Sequence, residues 1–296
     1  MLGQALYRAS QLGACKKLDN LDLVHAVLDV KTNTITFAEA VRDMSHLQSI
    51  LTTPPTDAVR RLLLMRHAES MNNALKSRHI ASALARQAQL PREQRYVDSQ
   101  VLQDAPELMR RTQEIAQVLN AHGHRLHFFV SPMQRTMQTF LSVACGMGTR
   151  APVTVVPELQ EVRKTMSDDR LPDPAVAMQN VCAWTADCGD SSACDKDSCA
   201  AGACGDWKRA LQTSLLASSP VARECDKGNV QGPCDELGAD EGTMGTMLGG
   251  AAREVSSSVA ERARVALQTI AERTGNERHA FVVAHGGIIR ALCGLQ

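Results

Sequence analysis

Short apolar runs that stop abruptly at polar residues recur along this chain. Leu62-Leu-Leu-Met65 ends at Arg66-His67, and Leu126-His-Phe-Phe-Val130 ends at Ser131-Pro132. Val153-Thr-Val-Val156 ends at Pro157-Glu158, and Ala280-Phe-Val-Val-Ala284 ends at His285-Gly286. Each has the length and composition of a strand buried on both faces. Between the runs the apolar period becomes helical. Helices are expected over 74–90, ending at Pro91, and over 106–120, with Leu108, Ile115, Val118 and Leu119 on one side and Gly123 as the stop. Further helices are expected over 132–145 with Pro132 at the first position, over 253–274 with Val255, Val259, Ala263, Ala266, Leu267 and Ile270 sharing a face, and over 288–292. Strands alternating with helices predict an α/β domain, a three-layer αβα arrangement about a mostly parallel central sheet.

Two regions fall outside that rhythm. Residues 19–29 and 37–51 read as amphipathic helices, the second with Phe37, Val41, Met44 and Leu51 at helical spacing and with Thr36 and Glu39 as a capping box. Pro54 and Pro55 cannot sit inside a continuing helix, so 52–57 reads as a linker. Residues 1–55 are therefore read as a helical N-terminal extension packed on a main domain of 56–296, where it would cover an exposed sheet edge. The other region is a long insertion at 164–250, with 14 acidic and 7 basic residues and many Gly, Ser, Asp and Cys. Short helical pieces are expected there around 174–184 and 206–217, on an otherwise variable surface segment.

Composition narrows the function classes. Apolar residues make up 44% and charged residues 22% of the 296 positions, ordinary values for a globular protein. A formal net charge of zero gives no reason to expect nucleic acid or an anionic membrane as a bulk partner. No apolar run approaches the ~20 residues of a membrane helix. Arg8, Lys16 and Lys17 without an acid in 1–18 have the charge of a transit peptide, but a surface helix explains them equally, and a cytoplasmic location is expected. Seven of the ten cysteines lie between Cys182 and Cys234 with no C-x-x-C pair, so a zinc site is not expected and the thiols are read as free. His122, His124 and His127 straddle a helix end and read as solvated.

In a parallel sheet the carboxyl ends of all strands lie on one edge, so residues far apart in sequence converge there. Arg66, His67, Arg135, Glu161 and His285 all fall at or just beyond such ends. Two guanidinium forks suit phosphate oxygens, a histidine can carry a phosphoryl group, and a carboxylic acid can protonate a departing alkoxide.

The segments Arg66-His67-Ala68-Glu69-Ser70, Ser131-Pro132-x-x-Arg135-Thr136-x-Gln138-Thr139, Leu159-Gln160-Glu161 and Ala284-His285-Gly286-Gly287 resemble the motifs of the histidine phosphatase superfamily, in that family's order. Ala68 stands where the family most often has Gly. The resemblance covers about 60–163 and 251–296 and implies a phosphoglycerate-mutase-like fold with a long insertion. It implies a phosphatase acting on phosphate monoesters, with His67 as nucleophile and phosphohistidine carrier and Glu161 as proton donor in preference to Glu158. Arg66, Arg135 and His285 would hold the phosphoryl group, with Asn73 assisting; no metal or other cofactor is implied. The substrate would be a phosphorylated small molecule or a phosphoprotein. Two alternatives stay open: a phosphoglycerate-mutase-type phosphotransferase, less expected because Glu161-Val-Arg163-Lys164 lacks the mutases' basic run, and a catalytically impaired relative serving as a binding or scaffold module.

Overall fold

A computed structural model of the chain describes residues 13–16, 18–54, 56–70, 101, 106–162, 181, 202–218, 256–276 and 278–294. Six strands form one sheet: β1 (Leu23–Asp29), β2 (Thr34–Ala40), β3 (Val59–Arg66), β4 (Leu126–Val130), β5 (Val153–Val155) and β6 (His279–Ala284). Their order is β2-β1-β3-β6-β4-β5. The β3-β6, β6-β4 and β4-β5 pairs are parallel, and β1 pairs antiparallel with both β2 and β3. Among the described residues six α-helices accompany them: α1 (Met44–Thr52), α2 (Pro106–Asn120), α3 (Gln134–Ala144), α4 (Gly202–Ser218), α5 (Ser256–Thr274) and α6 (Gly286–Leu292). No helix among the described residues is long and apolar enough to cross a membrane.

Side chains alternate along each strand, and the two sets build two cores. Leu63, Met65, Phe128, Val130, Phe281 and Val283 face α1 to α4. Leu62, Leu64, Phe129, Ala280 and Val282 face α5 and α6. The sheet thus carries helices on both faces, in agreement with the three-layer expectation.

The N-terminal region departs from its expected form. Residues 23–29 and 34–40 are strands, and only the end of the expected 37–51 helix is helical, as α1. Short apolar stretches satisfy helical and strand periods alike, and here the open edge of β3 decides, offering β1 a full ladder. The turn signal was local: Asp29 Oδ1 accepts from the N–H groups of Lys31 and Thr32 at 2.8 and 3.0 Å, and Asn33 takes a left-handed φ of 51°. Helix α1 is capped by Asp43, whose side chain accepts from His46 N–H at 2.7 Å, and not by a Thr36–Glu39 box. The extension does cover the sheet edge, but as a hairpin.

Three further expectations change. Helix α3 begins two residues after Pro132, because Met133 is extended and its carbonyl accepts from the N–H groups of Thr136 and Met137. Four cysteines are paired: Cys15 with Cys293 and Cys145 with Cys204, with Cα–Cα distances of 6.5 and 4.6 Å. Partners 278 and 59 positions apart cannot be recognised from spacing alone, and the other cysteines lie outside the described residues. His122 and His127 are buried: Gln48 Nε2 lies 2.9 Å from His122 Nε2, and His127 Nε2 lies 2.9 Å from Thr154 Oγ1. The expected 206–217 helix is present as α4, whereas the 74–90 helix lies outside the described residues, as does 174–184 apart from Val181.

Neutral buried histidines make this fold acid-sensitive. Burial, assisted by the Arg61 charge, lowers His279 from 6.5 to about 4. Below pH 6.5 the unfolded chain binds a proton here that the folded chain refuses, so stability falls with pH through the window from 6.5 to about 4. The expected loss from this one residue is on the order of 3 kcal/mol at the acid end. Urea unfolding of the parent and of His279→Gln at pH 7.5 and 4.5 checks it: the variant should lose less stability on acidification, and parallel losses would refute the assignment.

Candidate active site

Strands β3, β4 and β6 deliver their carboxyl ends side by side, and backbone bonds hold the residues just beyond them. His67 N–H donates to Ala284 O at 3.0 Å and Ser131 N–H to Val283 O at 3.1 Å. His67 and His285 consequently lie with ring centroids 5.0 Å apart. Arg135, in the first turn of α3, reaches both rings: its Nε–H donates to His67 Nε2 at 3.3 Å and to His285 Nδ1 at 3.2 Å. All three side chains are buried, with exposures of 2%, 0% and 5% for His67, His285 and Arg135.

That shared donor fixes the tautomers. Arginine only donates, so His67 Nε2 and His285 Nδ1 must carry lone pairs. The proton of His67 is then on Nδ1, which donates to Ala68 O at 2.6 Å. The proton of His285 is on Nε2, facing Ser131 Oγ at 2.9 Å. Both rings are neutral, since burial first and the Arg135 charge next push their pKa values well below the usual histidine range, with Arg66 acting in the same sense. Thr139 supports the loop: its Oγ1 accepts from Ala68 N–H at 3.0 Å and donates to Arg135 O at 2.7 Å. Ala68 is not among the residues with positive φ, so its side chain brings no backbone strain.

The expected set divides at Arg66. Consecutive residues at a strand end point to opposite faces, and while His67 turns towards α3, Arg66 turns towards α6. Its Nη1–H donates to the Leu18 carbonyl, and its Nε stands 3.5 Å from where a Cβ on Gly286 would lie. There Arg66 and Glu161, with Lys16, Leu18, Gly287 and Arg290, line a cavity of about 220 Å³. Glu158 is not one of its lining residues. Arg66 is linked to the buried trio by its field on both histidines. Asn73 lies outside the described residues.

Arg262 of α5, which sequence inspection overlooked, holds the Glu161 turn. Its guanidinium donates to the carbonyls of Glu158, Gln160 and Glu161 at 3.3, 3.1 and 3.3 Å. Nothing local to residue 262 announces that contact. Ser131 could have been found, because a hydroxyl directly after a buried strand is itself a strand-end group. Gly287 provides the space for Glu161: a Cβ there would stand 2.3 Å from Glu161 Oε1 and 2.9 Å from Val162 Cγ2. Gly287→Ala should therefore displace the carboxylate and, if Glu161 is the general acid, lower kcat by about 10-fold or more. If the expected phosphatase activity is present, steady-state kinetics on an aryl phosphate, with near-UV circular dichroism to verify packing, checks this, and an unchanged kcat would refute Glu161 as the general acid.

Comparisons with family models, with curated proteins and with solved structures return no match.

Proposed function

We propose that this chain is a phosphatase of the histidine phosphatase superfamily, with a phosphoglycerate-mutase-like fold, hydrolysing phosphate monoesters through a phosphohistidine on His67. One observation carries the proposal: a buried arginine donates from one Nε to two neutral histidines, and both rings are held in a fixed tautomer. A structural histidine needs no such arrangement, whereas a nucleophile needs an Nε2 lone pair at neutral pH and a nearby cation for phosphoryl oxygens.

The reaction then follows from the groups present. The Nε2 lone pair of His67 attacks phosphorus as the bond to the ester oxygen breaks, and the departing oxygen takes a proton from the Glu161 carboxyl. The Arg135 guanidinium exchanges its imidazole contacts for phosphoryl oxygens, and Arg66 adds positive charge from the cavity side. The proton stays on His67 Nδ1 throughout, donated to the Ala68 carbonyl. In the second half, the Glu161 carboxylate accepts a proton from water, the oxygen attacks phosphorus, and the N–P electron pair returns to His67. Phosphoryl transfer asks mainly for positioning and charge, which this set supplies.

A second reading, a phosphate-binding module without turnover, is favoured by the engagement of Arg66 with Leu18 and by the low exposure of both histidines. One experiment separates the two. The parent and His67→Ala are incubated with 4-nitrophenyl phosphate, and the protein is analysed for acid-labile, base-stable phosphohistidine. Hydrolysis and trapped label in the parent alone support the phosphatase. Phosphate binding with no hydrolysis by either protein would replace it with the binding module.

A further inference from the structure

We infer that the segment carrying Cys15 and Leu18 is a redox-controlled latch on Arg66. While Cys15 is bonded to Cys293, the Leu18 carbonyl occupies the guanidinium; reduction by a dithiol frees it for phosphoryl oxygens. This rests on the phosphatase reading above and supplies a control of that site. Two anchors set the Leu18 carbonyl in place. Three residues before it, Cys15 is tied covalently to Cys293, the residue after α6. Three residues after it, Leu21 N–H donates to Arg66 O at 3.2 Å. Between the two anchors, Arg66 Nη1–H donates to Leu18 O. The strap is bent to reach: Leu21 takes a φ of 63°, a left-handed conformation that leucine rarely adopts. Arg66 is not at rest either, since its Nε is buried without a hydrogen-bond partner among the described residues. A buried donor without an acceptor is costly, so a released guanidinium gains by turning to an anion.

Release leaves the rest of the site standing. His67 and Ser131 are held by backbone bonds to β6, and Arg135 reaches both rings from α3, so none of these depends on Cys15. Arg66 directly precedes His67, and its charge already acts on both rings. Both sulfurs are buried, but Cys15 ends a three-residue helical turn and Cys293 follows the seven-residue α6. Elements this short open locally at less cost than the whole fold. A thiolate of the dithiol then attacks one sulfur to give a mixed disulfide, which the second thiol resolves. Two electrons and two protons pass to the protein, leaving Cys15 and Cys293 as thiols and the reductant as a disulfide. With the tie gone, Leu18 no longer returns to Arg66 as a segment tethered on both sides.

Calorimetry with inorganic phosphate on the full chain, before and after treatment with dithiothreitol, tests the latch. The reduced parent should bind phosphate fivefold or more tightly than the oxidised parent. The Cys15→Ser/Cys293→Ser double variant should bind as the reduced parent does, with or without the reductant. Arg66→Gln should lose the response, because no guanidinium remains to be released. The ratio of reduced to oxidised is taken within each protein, so a partly folded variant does not distort it. Mass spectrometry after alkylation reads the state of the pair. A Cys15–Cys293 bond that dithiothreitol leaves closed in the folded protein overturns the latch. So does equal, weaker or absent phosphate binding by the reduced parent, or a response retained in either variant. Hydrolysis of 4-nitrophenyl phosphate is followed separately. Tighter phosphate binding on reduction without turnover in either state would sink the phosphatase reading and keep the latch. Turnover with phosphate binding unchanged on reduction would do the reverse.

Discussion

Arg135→Ala should lower kcat/KM for a phosphate monoester by about 100-fold or more, equivalent to roughly 3 kcal/mol of transition-state stabilisation. Among the described residues the guanidinium is the one side chain that donates to both histidines, so its removal takes away the group that orients both rings and, on the proposed reading, a ligand of the phosphoryl group. Loss of the charge also lets the pKa of His67 and His285 rise, since Arg135 follows burial as the leading cause of their depression. The variant should therefore lose activity at a higher pH than the parent as pH falls, because protonation silences Nε2 sooner. Arg135→Lys should recover little, since an ammonium lacks the planar fork. Steady-state kinetics between pH 5 and 8 measures both effects. A kcat/KM within threefold of the parent would remove Arg135 from the phosphoryl site.

Trp207→Ala should destabilise the fold by about 3–5 kcal/mol, a large share of the ~5–15 kcal/mol that holds a typical domain together. Trp207 sits on α4, inside the segment whose composition reads as a surface insertion. Its ring is 3% exposed and meets Phe128 and Phe140 edge-on at 5.6 and 5.8 Å. Phe128 also contacts Phe281, so the loss reaches the centre of the sheet. Helix α4 further protects the short edge strand, as Ser214 Oγ accepts from Val155 N–H at 2.7 Å. Trp207→Phe should cost much less. Urea denaturation followed by far-UV circular dichroism decides it, and a loss below about 1 kcal/mol would return α4 to the status of a surface appendage.

What the chain states locally and what it leaves to packing separate cleanly here. The four parallel strands, helices α2, α3 and α5 between them and the polar groups at their carboxyl ends were legible, because burial on both faces writes continuous apolar runs that any register preserves. The approach of Arg135 to His67 and His285 was foreseeable for the same reason, since strand ends in a parallel sheet share one edge. The 19–29 and 37–51 segments were not legible, because a period read over a few residues cannot register a neighbouring strand edge, and β3 supplied one. Cysteine pairing and the reach of Arg262 to the Glu161 turn depend on distances between elements that spacing does not encode. Arg66-His67 shows the division most clearly. The sequence alone placed the pair at a strand end, but the pleat sends the two side chains to opposite faces, and only the tertiary structure set His67 against Arg135 and Arg66 beside Glu161.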